Sequence, residues 1–168
     1  TGAGDDMIVN SGYVITSIED INGTGGGIAV NTGAGDDVVA LMPDSAATGS
    51  VDLGDGDDRL NLVASALLDG DALGGDGRDD IVFYGQGAYS GEISGFEAAT
   101  KYDAGTYTLT SLPTMNALAI YDGTLHVEDD YLFDDEGSAL MRIHLDGFGQ
   151  FQAAGTVGPG GALSVLAE

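Results

Sequence analysis

The chain has 168 residues and a formal net charge of −24, with Arg59, Arg78, Lys101 and Arg142 as its only lysine or arginine residues. A field of that sign repels nucleic acid and anionic lipid, which excludes both as partners, and it concentrates divalent cations. Apolar residues make up 43% of the chain and cysteine is absent. The chain is therefore neither a disordered acidic tail nor a disulfide scaffold, and it offers no thiolate metal site.

No apolar run approaches the length of a membrane helix, so no direct membrane insertion is expected. Glycine is frequent, at 29 residues against three prolines, which predicts many tight turns.

In chain order, the first element is "TGAGDDMIV" at Thr1, a glycine-rich turn that leads into the short apolar run Met7-Ile8-Val9. The pattern returns as "TGAGDDVVA" at Thr32, "LGDGDDRLN" at Leu53 and "GGDGRDDIV" at Gly74. Asp6, Asp37, Asp58 and Asp79 occupy matching positions, separated by 31, 21 and 21 residues. The longer first interval has room for a loop at Asn22 to Gly27. Alternation at Arg59 to Val63 fits a strand, and helical periodicity is missing. One turn with two or three short strands cannot bury its own apolar face, but stacked copies bury a continuous core. The expected fold is all-β: a right-handed parallel β-helix, or β-solenoid, of about 21 residues per coil. Seven or eight coils at roughly 4.8 Å each make a rod roughly 35 Å long.

From Ser94 the style changes. Turns become "DAGT" at Asp103, "YDGT" at Tyr121 and "AAGT" at Ala153, and strands lengthen at Thr106, Leu125, Leu140 and Ala162. Residues 1–93 carry the G-x-G-x-D-D coils and 94–168 the later coils. No linker separates them, so 1–168 reads as one continuous solenoid. The chain starts inside a repeat, which predicts a piece of a longer precursor.

The order of these motifs, with "SGFEAATKYDAGTYTLT" at Ser94, "DGTLHV" at Asp122 and "GTVGPGGALSV" at Gly155, resembles the passenger region of type V autotransporters. The resemblance covers nearly the whole chain. It implies a right-handed β-helix displayed outside a Gram-negative cell and exported through an outer-membrane barrel that these residues do not include. The first-half repeats also resemble the RTX nonapeptide, whose parallel β-rolls bind calcium. Gly74, Gly75, Gly77, Asp79 and Ile81 fit every specified position of that motif. RTX motifs recur every nine residues, whereas here one motif occurs per coil.

If the turns stack, Asp37, Asp58 and Asp79 lie one above another, and carboxylates about 5 Å apart repel by roughly 1 kcal/mol in water. A row of calcium ions would relieve this, since calcium takes six to eight oxygens. The competing reading is that the side chains bond turn amides and face water, with Asp57 and Asp58 held at an open edge. The run "EDDYLFDDEG" at Glu128 to Gly137 lacks EF-hand spacing and reads as a solvated loop. His126 and His144 alternate with apolar residues, which suits outward strand positions. They lie 18 residues apart. With Asp129 or Asp146 nearby, these two histidines would suggest a metal or acid–base site, and no G-x-S-x-G elbow is present. Tyr13, Phe83, Tyr84 and Tyr89 are candidates for stacking on neutral sugars, with core ladders as the plainer reading.

The expected function is therefore a non-enzymatic extracellular passenger or stalk segment for surface display or adhesion. Its C-terminal coils would assist folding on secretion, and its ligand would be a surface glycan or protein. One alternative is a self-associating subunit of a filament or surface layer, joined end to end through unpaired strand edges. The other is a glycan-active β-helix enzyme.

Overall fold

A computed structural model describes residues 2–15, 27–129, 131–132, 138–143, 150–153, 157–158 and 162–167, with side chains for 2–14, 27–129 and 131. It is all-β, without a helix among the described residues, and its coils of about 21 residues form a β-solenoid of about five turns.

Each of the first five coils contributes three strands. They are β1 (Gly2–Ala3), β2 (Met7–Asn10) and β3 (Tyr13–Ile15); β4 (Ile28–Ala34), β5 (Val38–Leu41) and β6 (Ala46–Thr48); β7 (Ser50–Asp55), β8 (Arg59–Val63) and β9 (Leu67–Asp69); β10 (Ala72–Asp76), β11 (Asp80–Tyr84) and β12 (Gly87–Tyr89); and β13 (Ile93–Ser94), β14 (Ala98–Tyr102) and β15 (Thr106–Leu109). The later strands are β16 (Ala117–Ile120), β17 (Thr124–Val127), β18 (Tyr131–Leu132), β19 (Ser138–Ile143), β20 (Gln150–Ala153), β21 (Val157–Gly158) and β22 (Ala162–Ala167).

Equivalent strands stack in parallel. One sheet runs β1-β4-β7-β10-β13, and a second runs β2-β5-β8-β11-β14-β16-β19-β22. A third, β3-β6-β9, covers the early coils, and a fourth, β12-β15-β17-β20, the later ones; β18 and β21 form a short fifth. The loop expected at Asn22 to Gly27 lies, apart from Gly27, outside the described residues.

The alternation in "RLNLV" decides which side faces in. β8 reads exposed, buried, intermediate, buried, intermediate along Arg59 to Val63. Leu60 and Leu62 point into the core, in register with Ile81 and Phe83 of β11 and with Val39 and Leu41 of β5. Val82, although only 3% exposed, does not join the core cluster that holds Leu60. It aligns with Asn61 on the outer side of the sheet, because a one-residue offset reverses the face of a strand.

The glycines of the turns are required by the stacking. Gly33, Gly54 and Gly75 are in register and have φ of 109°, 100° and 117°. A Cβ on Gly54 would fall inside the backbone carbonyl of Gly33, and one on Gly75 inside that of Gly54. Gly35, Gly56 and Gly77 form a second row of the same kind. The turns therefore lie in line from coil to coil, as the 21-residue interval predicts.

Candidate functional site

In the turns at Gly33 and Gly54 the two adjacent aspartates, Asp36-Asp37 and Asp57-Asp58, have opposite fates. In an extended chain, adjacent side chains point to opposite sides. The first aspartate of each pair faces water: Asp5, Asp36 and Asp57 are exposed. Each accepts a hydrogen bond from the backbone of the following coil. Asp36 N–H donates to Asp5 Oδ1 at 3.1 Å, Asp57 N–H to Asp36 Oδ1 at 3.0 Å, and Arg78 N–H to Asp57 Oδ1 at 3.1 Å.

The second aspartate reaches the other way and is buried. Asp37, Asp58 and Asp79 are 1%, 2% and 0% exposed. Their Oδ1 atoms accept from the preceding coil: Asp6 N–H at 2.7 Å, Asp37 N–H at 2.7 Å and Asp58 N–H at 2.8 Å. Asp79 N–H donates in turn to Glu97 Oε2 at 2.7 Å. The pairs Asp36-Asp37 and Asp57-Asp58 thus each tie their coil to the coil before and the coil after. A hydrogen bond from an amide to a carboxylate contributes about 1.5–3 kcal/mol, enough to offset the repulsion between neighbouring carboxylates.

The sequence reading placed Asp58 at a water-open edge. Asp57 is there, but Asp58 is sealed. In Asp37, Asp58 and Asp79 the second carboxylate oxygen, Oδ2, is buried without a partner. Burial raises the pKa of Asp79 from 3.8 to about 6, against the lowering effect of the Asp58 amide; the charges of Asp58, Glu97 and Asp57 add to the rise. Burial likewise raises Asp58, opposed by the Asp37 amide and reinforced by Asp37, Asp36 and Asp57. The three columnar carboxylates sit one per coil. Among the described residues, no three His, Cys, Asp or Glu side chains converge into a group able to hold a metal ion. Beside the column lies a cleft of about 230 Å³ lined by Asp36, Asp37, Val38, Asp57, Asp58, Arg59, Arg78 and Asp80. Arg59 and Asp80 are paired across its rim at 3.1 Å.

The column's terminal acceptor, Glu97, is not apparent from the G-x-G-x-D-D repeat. The coil that follows Asp79 is shorter, with Glu97 only 18 residues on. The signal is its position immediately before β14, the place that Asp37, Asp58 and Asp79 take before β5, β8 and β11.

The other candidates separate. Phe83 and Tyr89 are core residues; the Tyr89 hydroxyl donates to Gly70 O at 2.8 Å. Tyr13 is exposed on the first described coil. Tyr84 stacks on Tyr102 with ring centres 5.4 Å apart, and Tyr102 on Tyr121 at 4.7 Å. This outer stripe turns ring faces toward one another rather than toward a sugar. His126 occupies an outward, partly buried position beside Thr108, and its Nδ1 is buried without a partner. His144 and Asp146 lie outside the described residues. Within "EDDYLFDDEG", Glu128 and Asp129 are exposed as expected, but Tyr131 is 1% exposed and joins the core, which a wholly solvated loop would not provide. Phe133 to Gly137 lie outside the described residues.

Comparison of the chain with protein-family models, with curated proteins and with solved structures finds no match in any of the three.

Proposed function

We propose that this chain is a non-enzymatic stalk segment of an extracellular β-solenoid, one that carries or displays other parts of a longer protein at a bacterial surface. The observation that supports this reading is the double row of aspartates, in which each turn bonds the coil on either side. Carboxylates that would otherwise serve as catalytic groups are engaged in joining coils. Such an array transmits load along its axis through parallel ladders and side-chain bonds together. The resemblance of the motif order to autotransporter passengers adds export through an outer-membrane barrel to the proposal.

The test is display. The chain is fused between an epitope and an outer-membrane barrel in a Gram-negative host, and epitope exposure is read on intact cells. Exposure that persists with the chain folded and resistant to added protease supports the stalk. An epitope retained inside the cell, or a chain degraded at the surface, removes the reading.

A further inference from the structure

Three consecutive coils bury an aspartate, and each of the three leaves an oxygen without a partner. Asp37, Asp58 and Asp79 use Oδ1 to accept an amide and keep Oδ2 sealed and unbonded. Several charged groups face this column. Its own turns contribute exposed Asp36 and Asp57, and the fifth coil contributes Glu97, bonded to the Asp79 amide. The adjoining strands and turn contribute Arg59, Arg78 and Asp80 around the neighbouring cleft, with Arg59 engaged by Asp80. Where Asp79 Oδ2 lies, the neighbouring backbone is that of Gly74 and Gly95, which brings no charge.

We propose that Asp58 and Asp79 bind protons at their unpartnered oxygens and act as a latch: proton uptake tightens the seams that join the second, third and fourth coils, and proton loss loosens them. A buried carboxylate without a second partner carries a desolvation cost that its neutral form largely avoids. Protonation on Oδ2 leaves Oδ1 free to go on accepting the amide, so the inter-coil bond survives. The upward displacement of both carboxyls described above agrees with this geometry. The sign of the effect follows. A group whose pKa rises on folding binds more protons in the folded state, so its contribution to stability falls as pH rises. For Asp79 the window runs between the ordinary 3.8 and about 6. The seam is firmest below this window and loosest above it.

The experiment combines carboxyl ¹³C titration of the full chain with thermal melting from pH 5.0 to 8.0 at fixed ionic strength. The expected titration midpoint is near 6 for Asp79 and above the ordinary aspartate value for Asp58. Melting temperature is expected to be higher at pH 5.0 than at pH 7.5 by about 5 °C. Asp79→Asn and Asp58→Asn keep an acceptor on the amide, and each should remove a substantial part of that rise; Asp69→Asn, exposed on the third sheet, should not. The titration of the unaltered chain stands even where a variant fails to fold. Midpoints for Asp58 and Asp79 at the ordinary 3.8, or column variants whose melting profiles run parallel to the parent, overturn the proposal. It is also overturned if calcium, but not magnesium, raises melting at pH 7.5 and Asp58→Asn abolishes the effect, because the occupant would then be a metal ion.

Discussion

Lys101 occupies a core position in the ladder that holds Leu62 and Phe83 on one side and Ile120 on the other. It is 0% exposed. Its ammonium donates to the Tyr102 carbonyl at 2.6 Å and the Asp103 carbonyl at 2.5 Å, at a turn where Asp103 has a φ of 64°. Burial lowers its pKa, while Asp103 and Asp122 act in the opposite direction. The cation therefore supplies a donor to the Asp103 carbonyl and a second one to the Tyr102 carbonyl, which also accepts from Gly85 N–H. Lys101→Met fills similar space but takes this donor from the Asp103 carbonyl, while the Tyr102 carbonyl still accepts from Gly85 N–H at 3.1 Å. The expected loss is about 1–3 kcal/mol in urea unfolding, with Lys101→Arg unable to restore it because the larger guanidinium does not fit a fully buried site. A neutral result for Lys101→Met would show that water replaces the ammonium.

At the scale of the turn and strand, the close approach of glycine backbones limits what the sequence can change. Gly54 combines a positive φ with a Cα packed on the Gly33 carbonyl. Gly54→Ala must meet both a backbone strain of roughly 1–3 kcal/mol and an overpacking term of similar size. Its expected destabilisation is therefore about 3 kcal/mol or more. Gly85→Ala is the informative comparison. It also has a positive φ, of 67°, but a Cβ there meets only the Ala64 side chain at 3.6 Å and its Cα at 3.8 Å. It should cost about 1 kcal/mol, from backbone conformation alone. Equal losses for the two variants, by chemical denaturation, would mean that conformation and not stacking sets the requirement.

At the scale of the molecule, each coil contacts mainly its neighbours, so the solenoid should tolerate the loss of one whole repeat. Deleting residues 54–74 brings Gly75 to the place of Gly54 and Asp79 to the place of Asp58, which lie 21 residues apart. The shortened chain is expected to keep its β circular dichroism and a cooperative melt, at a somewhat lower temperature. Deleting only residues 54–63 removes about half a coil and throws the apolar positions out of register, so this chain should not fold. If both deletions behave alike, the coil is not the unit of stability. The eight strands of the longest sheet span about 34 Å at strand spacing, a length that small-angle scattering can compare with the maximum dimension of the particle.

The repeat period, the parallel stacking and the row of turn glycines were legible in the sequence. They depend on spacing, and a 21-residue interval carries the same residues to the same place in each coil. The inward positions of β8 were legible too, since Arg59 to Val63 alternate. In β11, by contrast, Ile81, Val82 and Phe83 are all apolar, and only pairing with β8 shows that Val82 faces out. The same limit applies to the aspartates. Asp57 and Asp58 are chemically identical neighbours, and composition cannot say which is exposed. The tertiary structure decides it by pointing one side chain at the next coil and the other, buried, at the coil before. Lys101 and Glu97 were hidden for the same physical reason: their partners are backbone groups, and backbone groups leave no mark in a sequence until stacking brings them within reach.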